Sequence, residues 1–162
     1  LSNNGFLLIT EPAEKKICDT LQKHYFPNSI NRQKMYLNSI SDKDTLILGI
    51  CDYNYTNIIG VVSLSSINYI NRSAEFSCVI ANKKNRNVII FIETLNLILN
   101  HAFSTLNLNK VYGGSISKNL VDIMIRACNF KAEGISRQDM YKNGEYHDIF
   151  RYTILKNEII KK

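Results

Sequence analysis

The hydrophobic period of the chain changes twice in its second half, and this limits the folds open to it. Residues 73–80 alternate, with Ala74 and Phe76 among the apolar residues of one face, which predicts a half-buried strand. Residues 86–106 carry apolar side chains at helical spacing around most of the circumference, which predicts a long, largely buried helix. Residues 110–113 again resemble a strand. Strand, helix and strand in this order predict a βαβ unit.

An antiparallel meander is predicted ahead of this unit. Residues 45–51 and 57–64 are β-branched runs separated by a polar turn at residues 52–55, and residues 73–80 follow as the third strand. The remaining predicted elements are a strand at 6–10, helices that begin near Pro12 and Asn31, a helix capped by Asn119, and closing strands at 130–136 and 146–155 joined by a polar loop with its turn at 142–144. No repeat or linker divides the chain, so residues 1–162 are expected to form one α/β domain.

Composition is that of a globular protein with an excess of basic residues. Apolar residues make up 45% and charged residues 21% of the 162 residues, and the formal charge of +6 raises the question of an anionic partner. The densest basic run, residues 83–86, has no interleaved aromatics, so nucleic-acid binding is not expected. This basic run is either a loop that contacts a phosphorylated small molecule or a solvated surface loop.

Several other classes of protein are not expected. The longest apolar segment, residues 88–108, is interrupted by polar side chains, so no membrane helix is predicted. The N-terminus lacks the pattern of a signal peptide, which indicates a cytoplasmic location. The four cysteines Cys18, Cys51, Cys78 and Cys128 are scattered without a CxxC pair, so neither a metal site nor a disulfide is expected.

Residues 57–158 contain a series of motifs in a recognisable order. They are IGVVSL at 59–64, RSAEF at 72–76, HAFSTLNLNKV at 101–111, CNFKAEG at 128–134, NGEYHD at 143–148 and YTILK at 152–156. Together they resemble the GNAT superfamily of N-acetyltransferases, and in particular its RimJ/RimL-type branch, whose "GFKxEG" motif is similar to 128–134. Residues 63–76 also resemble the branch that acetylates amino groups of nucleotide-linked sugars.

The resemblance implies the GNAT fold, a mixed, mostly antiparallel and splayed sheet flanked by helices. It also implies acetyl-CoA as cosubstrate, lying between the fourth and fifth strands and pairing with fourth-strand backbone near Val79. The pyrophosphate would sit at the N-terminus of the following helix, where free N–H groups and the helix dipole favour an anion. Arg86, Asn87 and Asn119 are the other cofactor-binding residues that it implies.

The chain departs from the family in its phosphate loop, R/Q-x-x-G-x-G/A. Arg86 aligns with the first position, but Ile89 and Phe91 stand where the family has small residues. Glycine suits those positions because backbone N–H groups can then approach the phosphates, and a β-branched run is expected to form a packed helix start instead. Three interpretations remain open: side-chain charge from Arg86 and its neighbouring lysines binds acetyl-CoA, the domain is a non-catalytic binding module, or it uses a different ligand or chemistry.

Acetyl transfer to an amine needs a group that accepts the amine proton, and two candidates occur. Glu75 matches the Glu of the family's "AE" pair, on the strand face opposite Ala74; as an alternative it would be a surface carboxylate paired with a neighbour such as Arg72. His147 is the second candidate, because imidazole titrates near neutrality; the alternative is a strand histidine bonded to backbone.

The family's helical tyrosine, the proton donor to the CoA thiolate, has no counterpart at residues 123–126. Three other tyrosines remain as substitutes, namely Tyr112, Tyr141 and Tyr146.

The expected acceptor is a small-molecule primary amine or a protein N-terminus, with a nucleotide-linked amino sugar as the narrower option. The sequence does not decide between them. It also leaves the oligomeric state open, with a homodimer as one option.

Overall fold

The computed structural model describes residues 6–8, 44–51, 57–80 and 83–159. The helices predicted near Pro12 and Asn31, the turn at residues 52–55 and Cys18 lie outside the described residues. Within the described residues there are seven strands and two α-helices, together with short turns of 3-10 and π-helix. The strands are β1 Phe6–Leu8, β2 Leu46–Cys51, β3 Ile58–Asn68, β4 Ser73–Ile80, β5 Lys110–Ser115, β6 Lys131–Lys142 and β7 Glu145–Leu155, and the helices are α1 Val88–Asn100 and α2 Lys118–Ala127.

The strands described follow the hydrogen-bonded order β1-β2-β3-β4-β5-β7-β6. Strands β1 and β2, β2 and β3, β5 and β7, and β6 and β7 pair antiparallel, whereas β4 and β5 pair parallel with α1 between them in sequence. A parallel pair needs a crossover connection of this kind. The predicted βαβ unit and the mixed, mostly antiparallel sheet are therefore confirmed.

The chain forms two compact units, one made of Leu1–Ile67 and Phe76–Leu99 and the other of Asn68–Glu75 and Asn100–Lys162. Each unit has buried apolar side chains of its own. Those of the first unit include Ile50, Val62, Leu64, Phe76, Leu95 and Ile98, and those of the second include Ala74, Phe103, Leu108, Val111, Met124, Phe130 and Ile154. A single domain over residues 1–162 stays a prediction.

Helix α1 begins at Val88, two residues later than predicted, because Asn87 caps it. The Ile90 N–H donates to Asn87 Oδ1 at 2.8 Å, which satisfies one of the amides that a helix start leaves without an intrahelical partner. The helix ends at Asn100 and continues as one turn of π-helix over His101–Thr105. This π-turn is why the predicted single helix over residues 86–106 is only partly correct.

The predicted burial of the long helix does not extend to its start. Leu95, Ile98 and Leu99 are buried, but Val88 is 49% and Ile89 68% exposed. By length and composition alone, Val88–Thr105 is apolar enough to cross a membrane, a property shared by the core helices of soluble proteins. In this protein 33% of the segment is buried, so it is less enclosed than a typical core helix.

Strand β6 is longer than predicted, reaching Lys142 instead of residue 136. The polar stretch after Ser136 remains paired with β7 through a bulge, and the ladder resumes at Met140, opposite His147. The predicted turn itself is confirmed, since Asn143 and Gly144 both have positive φ, 54° and 87°, as a two-residue hairpin turn requires. Most of β6 is exposed, so the strand has no buried face. Its sequence therefore lacks the alternation of apolar and polar residues by which a strand is recognised.

Gly60 of β3 permits a close approach to β4 within the first unit. A Cβ at this position would lie 2.5 Å from the Val79 carbonyl oxygen and 3.1 Å from Ile80 Cα, and both obstacles are backbone. At Gly49 of β2, a Cβ would meet Ile58 side-chain atoms at 3.5 Å or more, an ordinary contact. A side chain can therefore be added at Gly49 without a clash but not at Gly60, which makes Gly49 a matched control.

Gly60→Ala is expected to lower the free energy of unfolding by about 1–3 kcal/mol, because the added methyl displaces β4 backbone. Gly49→Ala is expected to be close to neutral. Urea unfolding of both variants beside the wild type measures the difference. Equal stability of Gly60→Ala and the wild type would contradict the close approach.

Glu158 fastens the C-terminal end of the described chain within the second unit. Its carboxylate forms an ion pair with Lys131 and accepts the Leu155 N–H at 2.9 Å, and its carbonyl accepts from Asn129 Nδ2 at 2.5 Å. The hydrogen bond from Lys131, and then that from Leu155, hold the pKa of the Glu158 carboxyl below its ordinary value, although desolvation opposes them.

Glu158→Gln is expected to lower Tm at neutral pH. Because the folded-state pKa is depressed, the stabilisation is present above the unfolded-state pKa and disappears as pH falls through the folded-state pKa. The Tm difference between wild type and variant should therefore shrink on acidification, in a thermal series from pH 7 downward. Glu145→Gln, at the exposed β6–β7 turn, is the control, and a Tm difference that grows in acid would contradict the assignment.

Candidate active site

Glu75 lies in the second unit, at the last position where β4 pairs with β5. Strands β4 and β5 pair at Ser73 with Lys110, Ala74 with Val111 and Glu75 with Tyr112, and no further pair follows, although β4 runs on to Ile80. Pairing over only part of their length was the expectation for these two strands. The Glu75 side chain is 39% exposed, whereas neighbouring Ala74 is buried on the other face, as predicted. The carboxylate is therefore accessible at the end of the β4–β5 ladder.

The partner of Glu75 is Arg151 of β7, not Arg72 as the alternative interpretation proposed. Arg151 Nη1 lies 3.7 Å from Glu75 Oε1. Arg72 points to another residue, since its Nε donates to the Asn107 carbonyl and its Nη2 to Asn107 Oδ1, both at 2.7 Å. The contact with Arg151 is long enough that the Glu75 oxygens keep lone pairs for another donor.

Tyr112 of β5 is the tyrosine beside Glu75. Residues in register on adjacent strands project to the same face, so the phenol and the carboxylate share one face. Lys110, two residues earlier, holds its ammonium 5.9 Å from the Tyr112 ring centroid and forms a 2.7 Å ion pair with Glu133. Tyr141 and Tyr146 instead pack against each other near the β6–β7 turn, with ring centroids 5.0 Å apart.

His147 is not brought to Glu75. Tyr112, the register partner of Glu75, pairs with Thr153 on β7, six residues from His147, which corresponds to about 20 Å along a strand. His147 Nε2 lies 3.3 Å from the Lys142 carbonyl, near the hairpin turn. This is the backbone-bonded strand histidine of the alternative interpretation. The two predicted catalytic residues therefore do not form one site.

The predicted cofactor residues of the first unit lie at the β4–α1 connection. Arg86 Nε donates to the Ile80 carbonyl at 2.8 Å, which ties the connection to the end of β4. Asn87 caps α1, as described above, and the Val79 carbonyl lies against Gly60 of β3. Sequence reasoning had found these residues but not the two local hydrogen bonds that occupy Arg86 and Asn87.

Asn119 of the second unit is not the cap of α2. Ser117 is the cap, because its Oγ accepts the Leu120 N–H at 3.4 Å, and Asn119 stands exposed in the first turn of the helix. A serine three residues before the first apolar helix position was the signal in the sequence. Asn119 as a cofactor residue stays a prediction.

The start of α1 differs from the packed helix start that its sequence predicted. The side chains of Val88 and Ile89 are 49% and 68% exposed, so they do not pack into the core. Phe91 turns inward, with its ring 6.5 Å from that of Phe76. The first amides of a helix have no intrahelical partner, and the dipole favours negative charge there. A phosphate site at this helix start stays a prediction.

Within the described residues, neither a metal cluster nor an activated thiol competes with Glu75. Within residues 6–8, 44–51, 57–80 and 83–159, no group of three or more His, Cys, Asp and Glu side chains could hold a metal ion. Burial raises the pKa of Cys78 to about 12 and that of Cys128 above its ordinary value, so both remain thiols at neutral pH and are poor nucleophiles.

Fold and sequence together place the chain in a known class. The family model described as "Acetyltransferase (GNAT) domain" matches residues 7–150. A chimera of the spermidine N-acetyltransferase SpeG from Vibrio cholerae and hSSAT superposes with a TM-score of 0.85 at 25% identity, covering 99% of this chain and 100% of that one. The chain belongs to the GNAT acetyltransferase family, and the predicted GNAT fold is confirmed.

Relatives of known sequence include enzymes of two kinds. A spermidine N(1)-acetyltransferase of Vibrio cholerae is 36% identical over 108 residues, 65% of this chain and 61% of the relative. The "Putative ribosomal N-acetyltransferase YdaF" of Bacillus subtilis is 31% identical over 103 residues, 63% of this chain and 56% of the relative. The chain thus spans less than two thirds of the length of either relative. Neither is named for an amino sugar, so the narrower resemblance gains no support from them.

Proposed function

We propose that this protein is an acetyl-CoA-dependent N-acetyltransferase whose acceptor is a polyamine such as spermidine. The observation that carries the proposal is the accessible Glu75 carboxylate at the end of the β4–β5 ladder, in a chain of the GNAT family. The choice of acceptor is supported by the spermidine N(1)-acetyltransferase relative. A polyamine acceptor is thus proposed in place of the nucleotide-linked amino sugar that the sequence resemblance suggested.

Glu75 is the proposed general base. A primary amine is protonated at neutral pH and attacks a thioester carbonyl only through its free lone pair, so a general base such as a carboxylate or an imidazole takes the proton, directly or through a water. Acetyl-CoA, when bound, supplies the acetyl group as a reactive thioester. Glu75 has the accessibility and unshared lone pairs for this step, and His147, bonded to backbone near the hairpin turn, is the weaker candidate.

Residues of the first unit would hold the anionic part of acetyl-CoA. The amides of Val88 and Ile89 at the start of α1 are suited to a phosphate, and the nearby cations Lys84 and Arg86 add favourable charge. Backbone amides and side-chain charge would thus share the role that the family gives to glycines.

Tyr112 is the proposed proton donor to the departing thiolate. Of the three candidate tyrosines it is the one in register with Glu75. Tyr112→Phe is expected to lower kcat about 10-fold or more, since it removes the hydroxyl and keeps the ring. Tyr141→Phe, at the exposed end of the hairpin, is the control, and equal kcat for both variants would refute the role of Tyr112.

A protein N-terminus is the second candidate acceptor, and the 31% identity to the relative named "Putative ribosomal N-acetyltransferase YdaF" supports it. A similar solved structure, at a TM-score of 0.83 and 25% identity over 97% of this chain, is a dodecamer of the Vibrio cholerae enzyme. It supports an oligomer for this chain, of which the predicted homodimer is one form, and sedimentation analysis would give the number of copies. The cytoplasmic location and the absence of nucleic-acid and membrane partners stay predictions.

Calorimetric titration with acetyl-CoA, followed by acetylation assays, tests the proposed function. We expect acetyl-CoA to bind, and spermidine to be acetylated faster than an N-terminal peptide or an amino sugar. Arg86→Ala should weaken acetyl-CoA binding by about 1.5–3 kcal/mol, and added salt should weaken it further. No heat of binding at millimolar acetyl-CoA would instead favour the non-catalytic binding module, and faster turnover of the peptide would favour the protein N-terminus.

A further inference from the structure

The guanidinium of Arg151 joins three side chains on one face of the second unit. Its Nη2 donates to Asp139 Oδ2 at 2.6 Å and its Nε to Ser136 Oγ at 3.0 Å, while Nη1 is 3.7 Å from Glu75 Oε1. The shortest and best-formed contacts are on the β6 side. Arg151 is therefore anchored by β6 and presents its remaining edge to Glu75.

The β6 bulge supplies this anchor. Ser136 pairs with Ile149 and Met140 with His147, so residues 137–139 oppose a single β7 residue, Asp148. Gln138 takes a left-handed conformation with φ of 52°, unusual for a residue with a side chain, and its N–H donates to Asp148 Oδ1 at 2.8 Å. Bulges commonly redirect a side chain next to a functional site. This one brings Asp139 to Arg151.

We propose that Arg151 is a positioning residue for the general base Glu75, and that Asp139 holds Arg151 in place and balances its charge. The inference rests on the proposed function of Glu75. An arginine free to form a two-pronged pair would occupy both carboxylate oxygens and stabilise the ionised form, which weakens a base. Because Asp139 and Ser136 engage two of its nitrogens, Arg151 orients Glu75 through one long contact and leaves the carboxylate able to accept a proton.

Other charges around Glu75 have their own partners or lie on other elements. On β5, Lys110 pairs with Glu133 of β6. Strand β3, the neighbour of β4 in the sheet, has no titratable side chain. On the elements packed with β5 and β7, the other titratable groups are Tyr112 beside Glu75 and, on α2, Lys118, Asp122 and Arg126. Strands β6 and β7 themselves add Lys131, Arg137, Asp139, Tyr141, Lys142, Glu145, Tyr146, His147, Asp148 and Tyr152. Within the described residues, the ion pair of Glu75 is that with Arg151.

The test measures kcat and KM for spermidine between pH 5.5 and 9 in wild type, Arg151→Gln, Arg151→Lys and Asp139→Asn, with Arg137→Gln as the control. Arg151→Gln is expected to lower kcat about 10-fold, with KM for acetyl-CoA little changed. It should also move the acidic limb of the pH profile upward, because the carboxylate loses a cation. Arg151→Lys keeps the charge, so the limb should stay in place with a smaller loss of rate. Asp139→Asn should move the limb downward, because the charge of Arg151 is no longer balanced.

Opposite displacements of the acidic limb are the result that a purely structural role for Arg151 and Asp139 would not produce. Circular dichroism confirms that each variant is folded, and Arg151→Lys preserves the comparison if Arg151→Gln is not. An active wild type whose limb stays fixed, or moves in the same direction in Arg151→Gln and Asp139→Asn, would overturn the inference alone. An inactive wild type would overturn the proposed function and the inference with it.

Discussion

Glu75→Gln is expected to lower kcat about 10²–10⁴-fold, the usual contribution of a positioned general base. The amide keeps the size of the carboxylate and can still meet Arg151, but it cannot accept a proton at neutral pH. Affinity for acetyl-CoA should change little, because the residues proposed to hold its phosphates lie at the β4–α1 connection. Steady-state kinetics and calorimetry on the same preparations measure the two effects separately.

Glu133→Gln is the matched control for this prediction. Glu133 is also a half-exposed carboxylate of the second unit in an ion pair, with Lys110 at 2.7 Å, so the substitution removes the same charge from the same face. If both variants lost rate to a similar degree, the cause would be the negative charge of this face of the sheet and not Glu75 itself. Full activity of Glu75→Gln at pH 7 would exclude Glu75 as the general base and leave His147 as the candidate.

The strand that carries Glu75 could be predicted from sequence because it follows simple rules of period. Strand β4 alternates with one buried face, so the bounds 73–80 and the outward direction of Glu75 were both predictable. The Asn143–Gly144 turn was predictable for a similar reason, since only a few residues adopt two successive positive φ angles. Such features depend on neighbours within a few residues.

The partner of Glu75 could not be predicted, because it depends on the register of three strands. Arg151 meets Glu75 only through the pairing of β4 with β5 and of β5 with β7, and Asp139 joins them only because β6 bulges after Ser136. The exposure of Ile89 was missed for a related reason. Hydrophobic residues around the whole of a helix predict burial, but the first turn of α1 extends beyond the packed stripe.

The motif that most resembles the family, residues 128–134, has a structural role in this protein. Phe130 is 2% exposed, its ring is 5.5 Å from that of Tyr152 in an edge-to-face arrangement, and its N–H donates to the Met124 carbonyl at 3.0 Å. Asn129, with φ of 60°, turns the chain out of α2 so that Phe130 enters the core. The motif thus joins the end of α2 to the start of β6.

Phe130→Ala is accordingly expected to lower the free energy of unfolding by about 3–5 kcal/mol, from lost burial and the cavity left behind. That is a large part of the 5–15 kcal/mol typical of a folded domain, so Phe130→Leu, with a smaller expected loss, is the variant to measure if the alanine protein does not accumulate. Tyr141→Ala, which removes an exposed aromatic ring near the hairpin turn, should cost less than about 1 kcal/mol. Chemical denaturation of the three variants gives the order. If Phe130→Leu is as stable as the wild type and retains its fold while acetyl transfer is lost, the motif acts in catalysis and the structural assignment is wrong.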